Sequence, residues 1–444
     1  MKPIILRLLS SLSVSLLLLA CAAPTERAVQ PAEQTSRATH TPASAGTLRP
    51  QPTSTTVASD VLTLTWWTPE FISPQAPAPV GPLLAQQLAD FEAAHDGKVR
   101  VNPVLKARYG KGGLLDFLRT TQPVASGLVP DIVALDVAEL EQAVTMGALQ
   151  PLDSTLSRTI TPTLYTFARQ TGQFDGRTMA LPYIADIEHA VYNRDRLSQP
   201  PSTWTGILAE KTPYLFPAGS PQSPAATALV EGAPRAVISQ YLSAGGTIEP
   251  KTRRLVLQEQ PLLRLLTFYR DAREAGVVPK DILDFPGLDE IWSSYAQGGA
   301  ALADVSARRY LANREALPNT APAPAPGWSN PVPPIADGWA LAITTPDPVR
   351  QKAAGELIAW LMAPERAGPW AQAAGWLPTA PAALATWGAA PHHEFLDGQL
   401  AAASAPPAGP DTAGAAARLQ KAVTAVLKGA STPADAVQLA LGAK

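Results

Sequence analysis

The chain has one cysteine, Cys21, among 444 residues. An intramolecular disulfide is therefore excluded, and a cysteine-based metal site lacks its partners. Histidine is scarce as well: His40, His95, His189, His392 and His393 are all there is. The adjacent pair His392–His393 is not spaced to share one helical metal-binding face, so no metal and no other cofactor is expected. Positive charge is not in excess. Thirty-five Lys and Arg against 37 Asp and Glu leave a formal net charge of −2, which argues against a nucleic-acid partner. No Gly-x-Ser-x-Gly elbow and no Gly-x-x-x-x-Gly-Lys phosphate loop occurs. Carboxylates are common, but no pair has a local spacing diagnostic of acid–base hydrolysis. After the N-terminal segment there is no second long apolar run, so the rest reads as a soluble body.

The N-terminus is where the apolar run sits. Lys2 and Arg7 give a positive start, Leu8 to Leu19 form an apolar stretch broken only by serines, and small residues flank Cys21. That is the layout of a secretory signal. Leu18-Leu19-Ala20-Cys21 also resembles a bacterial lipobox. The resemblance implies that Cys21 receives lipid and becomes the first mature residue, anchoring the protein on the outer face of the cell membrane. From Ala22 to about Asp60 the chain is mostly Ala, Pro, Ser, Thr and Gln, with no Phe, Trp or Tyr. Such a segment buries too little surface to offset its ordering entropy and reads as a solvated stalk.

The remaining residues are too many for one ordinary core, so two lobes are expected. They alternate strand and helix patterns, which makes the body α/β. Val61 to Trp67 (VLTLTWW) alternates apolar with polar. Leu83 to Ala94 places Leu84, Leu88 and Phe91 on one helical face. Val99 to Leu105 is a second strand, at an edge or irregular because it contains Pro103. Gly113 to Thr120 is helical, Asp131 to Leu135 is a buried strand, and Val137 to Thr145 is a helix closed by Gly147. This order predicts an open sheet with largely parallel pairing. Ligands of such sheets sit outside the carboxyl ends of strands. The places to search are Trp66 to Phe71 and Asp136 onward.

A series of motifs then runs through the body. It starts at Pro130-Asp131-Ile132-Val133 and Gly147-Ala148-Leu149-Gln150-Pro151-Leu152-Asp153. Asp175-Gly176-Arg177-Thr178-Met179-Ala180-Leu181-Pro182-Tyr183, Val191-Tyr192-Asn193-Arg194-Asp195 and Pro201-Ser202-Thr203-Trp204 follow. Gly298-Gly299-Ala300-Ala301-Leu302, Asp337-Gly338-Trp339-Ala340-Leu341-Ala342-Ile343 and Gly375-Trp376-Leu377-Pro378-Thr379 complete it. In this order the chain resembles the extracellular solute-binding proteins of bacterial ABC importers, in the group that includes maltose- and other sugar-binding proteins. The resemblance implies a two-lobed periplasmic-binding-protein-like fold, with hinge-linked lobes and an interlobe ligand cleft. It implies capture of a small solute, a carbohydrate, by a monomer that delivers it to the importer's permease subunits. The organisation expected is a signal peptide at 1–20, a lipidated stalk at 21–60, a first lobe from 61–185 and 336–385, and a second from 186–335 and 386–444. The hinge crossings fall at about Ile184 to His189 and Pro334 to Gly338.

Candidate ligand contacts follow, each with a structural alternative. Trp66 and Trp67 alternate across the first strand; one is core, and Trp67 is the candidate stacking face. Glu70 is either a hydroxyl acceptor or a solvated loop carboxylate. Asp136 is either a ligand contact or the N-cap of the following helix. Asp186 lies at the hinge, where similar sugar binders place an acidic contact, and its alternative is an interlobe structural role. Tyr183 and Glu188 lie beside it. Trp339 follows Gly338, a residue that permits close backbone approach, and Trp376 sits in GWLPT; each lines the cleft or packs in the core. Trp204, Trp292 and Tyr295 read as structural. The late segment Asp411-Thr412-Ala413-Gly414 has no aromatic where similar sugar binders often carry one, which leaves a polar or smaller ligand open. Two other readings stand beside the importer: the binding lobe of a sensor, and a surface-anchored hydrolase.

Overall fold

A computed structural model describes residues 61–122, 126–152, 156, 158, 160–221, 233–409 and 411–442. Cys21, the signal sequence and the stalk lie outside the described residues. Among the described residues no helix is long and apolar enough to cross a membrane.

The strands begin with β1 (Leu62–Thr68), β2 (Val99–Leu105) and β3 (Ile132–Asp136). A hairpin of β4 (Gln173–Phe174) and β5 (Arg177–Thr178) leads to β6 (Leu181–Asp186) and β7 (Glu188–Asn193). Then come β8 (Tyr214–Leu215), the hairpin β9 (Thr247–Ile248) with β10 (Leu255–Val256), β11 (Leu302–Ser306) and β12 (Thr320–Ala323). The series ends with β13 (Asp337–Ile343) and β14 (Leu377–Pro378).

Six of these form one sheet in the order β14-β6-β13-β3-β1-β2. β1 pairs in parallel with both β2 and β3, as the strand–helix alternation predicts. β13 runs antiparallel to β3 and to β6, and β14 antiparallel to β6. The sheet is therefore mixed rather than largely parallel. β13 enters it from the other half of the molecule, not from a strand–helix crossover, so the handedness rule for parallel units does not set its direction. β2 is the edge strand, and its Pro103 sits opposite Trp66 of β1. An edge tolerates the missing N–H.

Helices pack on this sheet. Val80–Ala94 buries Leu84, Leu88 and Phe91, the face read from its spacing. Leu114–Thr121 buries Leu114, Leu115 and Leu118. The expected helix after Asp136 is a 3-10 turn, Val137–Glu139, running into the α-helix Leu140–Thr145. Asp131, at the start of β3, is buried and accepts two guanidinium bonds of 2.6 Å from Arg350 and the Thr65 N–H at 2.7 Å. That bidentate pair pins the helix Pro348–Met362 to β1 and β3.

A second sheet has the order β12-β7-β11-β8. Its core includes Trp204, stacked on Phe268 at 4.6 Å with its indole N–H donated to the Pro326 carbonyl at 3.0 Å. Thr203 caps the helix that Trp204 opens by accepting from the Gly206 N–H. Trp292 and Tyr295 are buried in the same core, so all three are structural as expected.

Two apolar clusters result. One gathers β1, β3, β6 and β13 with their helices; the other gathers β7, β8 and β11 with theirs. The chain passes between them at Ile187, where β6 gives way to β7, and at Ile335–Ala336, just before β13. The helix Pro391–Ala402, read in the sequence as second-lobe, buries Leu396 and Leu400 in the first cluster. Ser404 then bridges to Ile335, and the second cluster resumes at Ala415. At β13 the close approach expected of Gly338 is real. Its φ is +147°, and a Cβ there would lie 2.0 Å from the Ile184 carbonyl oxygen.

Candidate ligand site at the carboxyl edge of the first sheet

Strand direction brings several polar side chains to one place. β1 and β3 both end at the same edge of the sheet, at Thr68 and Asp136. β6 ends there at Asp186, and β13 begins there at Asp337, its register partner. Trp339 pairs with Asp136 in the same edge region. The loop after β1 contributes Phe71, and the loop after β2 contributes Arg108 and Tyr109.

The aromatic residues form a connected group. Phe71 stacks on Trp376 with ring centres 5.5 Å apart and 18° between planes. It meets Trp339 edge-on at 5.2 Å, and Tyr109 lies 5.9 Å from Trp339. Two guanidiniums cap the stack. Arg308 lies 3.6 Å from the Trp376 ring centre, and Arg108 lies 4.7 Å from that of Phe71. The order is thus Arg108, Phe71, Trp376, Arg308, a column whose two ends are cations on aromatic faces.

The carboxylates lie beside this column. Asp136 accepts the Tyr109 hydroxyl at 2.5 Å and the Ala138 N–H at 2.9 Å. Burial, and then the nearby Asp337, push its carboxyl up to about 7. Glu139 is 7% exposed, and its Oε2 has no donor among the described residues. Burial, and then Asp136, raise it to about 8. Glu188 is pushed up to about 7, mainly by burial, with Asp186 and Asp337 adding and Arg235 opposing. Arg235 comes from the helix Arg235–Ser243 of the second cluster and reaches Asp337 at 2.6 Å and Glu188 at 3.8 Å. Burial works against its charge, but Asp337 and Glu188 outweigh that and hold the guanidinium firmly protonated.

Asp186 accepts three bonds from the protein itself. They come from the Ser306 hydroxyl at 2.6 Å, the Ile187 N–H at 3.0 Å and the Arg308 N–H at 3.2 Å. Burial raises its carboxyl, and Ser306 and Arg308 oppose that. It joins the end of β6 to the start of the helix Ala307–Asn313. Its interlobe structural role is therefore fully occupied.

The other sequence candidates divide. Asp136, Trp339 and Trp376 stand in the group, but Trp339 and Trp376 are buried and belong to the first core, as Trp67 does, and Asp136 is also the helix cap that was its alternative. Glu70 is exposed and paired with Arg108, whose guanidinium lowers its carboxyl. Trp67 is 6% exposed and packs within the first core against Phe117 at 5.8 Å, with the Lys106 ammonium 4.7 Å from its ring centre. Trp66 is buried too, so neither face of β1 leaves a ring free. Tyr183 is not at the edge. It stacks on Trp370 at 5.0 Å inside the first core, because β6 is covered on that face by the helix Pro364–Ala374. Phe71, Tyr109, Glu139, Arg235 and Arg308 were not singled out in the sequence. The first three follow the carboxyl ends of β1, β2 and β3, so the strand-end rule reaches them; nothing local marks the two arginines.

Two cavities lie elsewhere on the seam, about 610 and 570 Å³ in volume. Both are bounded by the β4–β5 hairpin on one side and by the loop Glu249–Arg253 on the other. None of the carboxylates or rings above lines either. We place the site at the sheet edge because the clustered charges are there, with the buried Glu139 and Glu188 oxygens that lack donors among the described residues.

Comparison with known proteins follows the same geometry. The chain has the two-lobed periplasmic-binding-protein fold. It superposes on the cyclic α-maltosyl-1,6-maltose binding protein of Arthrobacter globiformis with a TM-score of 0.69 at 17% identity, over 85% of this chain and 97% of that one. The maltose-binding periplasmic protein MalE of Listeria monocytogenes gives 0.67 at 15% identity, over 86% and 97%. The GacH receptor of Streptomyces glaucescens gives 0.61 at 17% identity, over 86% and 97%. These likenesses establish architecture. Membership rests on sequence: a family model described as bacterial extracellular solute-binding protein matches residues 86–394. That span includes the chain passages at Ile187 and at Ile335–Ala336 and most of the carboxyl-edge residues, and it is a family of binding proteins rather than enzymes. The chain belongs to the bacterial extracellular solute-binding proteins.

Proposed function

We propose that this protein captures a carbohydrate between its two lobes and hands it to the permease subunits of an ABC importer. The observation that carries the reading is the meeting of an aromatic group with buried carboxylates at one sheet edge. A sugar presents apolar C–H faces and a rim of hydroxyls, so it needs stacking area and acceptors together. Phe71, only partly buried and backed by the buried Trp339 and Trp376, supplies the first; Asp136, Glu139 and Glu188 supply the second. The similar structures are described as proteins that bind maltose, a cyclic maltosyl sugar and acarbose, which supports the same class. The lobes meet at crossings near 187, 336 and 404, and ligand contacts with both favour the closed form.

The protein works outside the cytoplasm as a monomer, held to the membrane by lipid on Cys21. Replacing Cys21 with Ser should release it from membranes or leave unlipidated precursor. Lipid labelling that survives the change would rule out this anchor. A thermal-shift screen of sugars, polyols, amino acids and peptides tests the ligand class, because a ligand specific to the folded state raises the melting temperature. Stabilisation by amino acids or peptides, and by no sugar, would overturn the carbohydrate assignment.

A further inference from the structure

We infer that the site is built for a carbohydrate bearing a protonated amine, and that Glu139 and Asp136 hold the ammonium. The inference rests on the carbohydrate reading and narrows it. It starts from a charge census of the seam. Asp136, Glu139, Asp186, Glu188 and Asp337 converge there, against the guanidiniums of Arg108, Arg235 and Arg308.

The three cations are committed. Arg108 pairs with Glu70 and lies on the Phe71 ring. Arg235 serves Asp337 and Glu188. Arg308 stands beside Asp186, donates its Nε–H to the Gly375 carbonyl at 3.1 Å and covers the Trp376 ring. Asp136 is left with two neutral donors, the Tyr109 hydroxyl and the Ala138 N–H. Glu139, three residues on, has a buried oxygen with no donor at all among the described residues. It closes the 3-10 turn Val137–Glu139 that Asp136 caps, and residues three apart in such a turn lie over one another, so the two acids share one side of it.

Arg235 shows what these carboxylates do when a cation is within reach. The Asp136–Glu139 pair has the same chemistry; the Arg235 charge reaches Asp136 without forming an ion pair, and no cation is paired with Glu139 among the described residues. Two buried acids that repel each other are costly to ionise and cheap to neutralise with a positive group. A neutral hydroxyl gives one hydrogen bond and no charge. An ammonium gives three donors and a full charge, which suits the Glu139 and Asp136 oxygens together. A metal ion is a poorer fit, since no set of three ligating His, Cys, Asp or Glu side chains occurs among the described residues. A simple amino acid would leave the Phe71–Trp376 surface unused.

The test is calorimetry on the full chain at pH 6.5, where the free aminosugar is almost wholly protonated and takes up no proton on binding. The probes are glucosamine, galactosamine and the glucosamine disaccharide, each beside its N-acetylated form and its all-hydroxyl counterpart. At least one amine should bind ten times more tightly than both neutral forms, with an affinity that falls as salt rises. Binding should also release protons, read as a heat that varies with the ionisation enthalpy of the buffer, because the ammonium lowers both carboxyl pKa values. Glu139→Gln should reduce the amine's affinity at least tenfold more than that of its neutral counterpart. Asp136→Asn provides the same comparison if the first variant does not fold. Neutral sugars binding as tightly as every amine would overturn this inference and leave the carbohydrate reading standing. Failure of every sugar, charged or neutral, would overturn both.

Discussion

Replacing Glu139 with Gln should flatten the pH dependence of stability between pH 6.5 and 8. Glu139 titrates near 4.5 when unfolded and near 8 in the folded protein. Its folded pKa is raised, so the folded state binds more protons and stability falls as pH rises towards 8. In this window the unfolded side chain is already ionised. Integrating the linkage relation for a shift to 8 gives about 1.6 kcal/mol lost between pH 6.5 and 8 from this one residue. Asp136, Glu188 and Asp304, raised to about 7, 7 and 8, act in the same direction. His189 and His392, held down near 4 mainly by burial, act oppositely, and because their unfolded imidazoles are still half protonated at pH 6.5 each adds back up to about 0.4 kcal/mol across the window. That contribution is common to both proteins, so the difference between wild type and Glu139→Gln isolates the one carboxylate. Urea unfolding of the ligand-free protein at pH 6.5, 7, 7.5 and 8 measures it. Wild type should lose stability across the series, and the variant should lose about 1.6 kcal/mol less. Parallel curves for the two proteins would mean that Glu139 is ionised and solvated at neutral pH, and the description of the site would fail.

Other substitutions separate structural from ligand roles. Asp186→Ala strands the Ser306 hydroxyl and the Ile187 and Arg308 N–H groups; it should cost about 3 kcal/mol or more in equilibrium unfolding, and a change below 0.5 kcal/mol would refute the interlobe role. Asp131→Asn removes the charge facing Arg350 and should cost about 1.5–3 kcal/mol by the same assay, with sugar affinity unchanged because the pair lies at the opposite end of β3. Trp376→Ala removes the centre of the aromatic column and should weaken sugar binding at least tenfold. Trp204→Phe, in the second core, should lower the melting temperature and leave that affinity alone; equal effects of the two on binding would show that the column is merely core.

What the sequence discloses depends on how local the determinant is. Helix faces such as Leu84, Leu88 and Phe91 come from spacing within one element, and the structure buries them. The edge position of β2 follows from Pro103 alone. The strand-end rule points to the edge where the buried carboxylates cluster and brings in Asp136. It could not choose between Trp66 and Trp67, because alternation selects a face only when one side of a strand is solvated. β1 is covered on both sides, so both rings are core. Tyr183 failed for the same reason: nearness to a hinge in sequence says nothing about which face of β6 a side chain takes. The partners of Asp186 and Asp337 are Ser306, Arg308 and Arg235, which lie far along the chain in other elements. Non-local pairs of that kind leave no periodic trace.

The arginine-capped column also says where a sugar ring can enter. Trp376 is 8% exposed and already in contact with Phe71 and Arg308. Arg308 is held by its backbone bond to Asp186 and its side-chain bond to Gly375, so moving it breaks buried contacts. Arg108, at the other end, has a side chain 47% exposed and pairs with Glu70, itself 57% exposed. Exposed ion pairs of this kind contribute about 0–1 kcal/mol. The less costly displacement is therefore at the Phe71 end, and on the carbohydrate reading the ring stacks on Phe71 with Trp376 as its backing. Affinity is then a difference, the ligand's contact with Phe71 minus that of Arg108. Arg108→Ala removes the occupant and should tighten sugar binding by up to about fivefold, since each 1.4 kcal/mol is tenfold and the pair is worth less than that. Phe71→Ala should weaken it at least as much as Trp376→Ala does. If Arg108→Ala instead weakened binding tenfold, the guanidinium would be a ligand contact rather than a placeholder, and the ring would have to sit elsewhere along the edge.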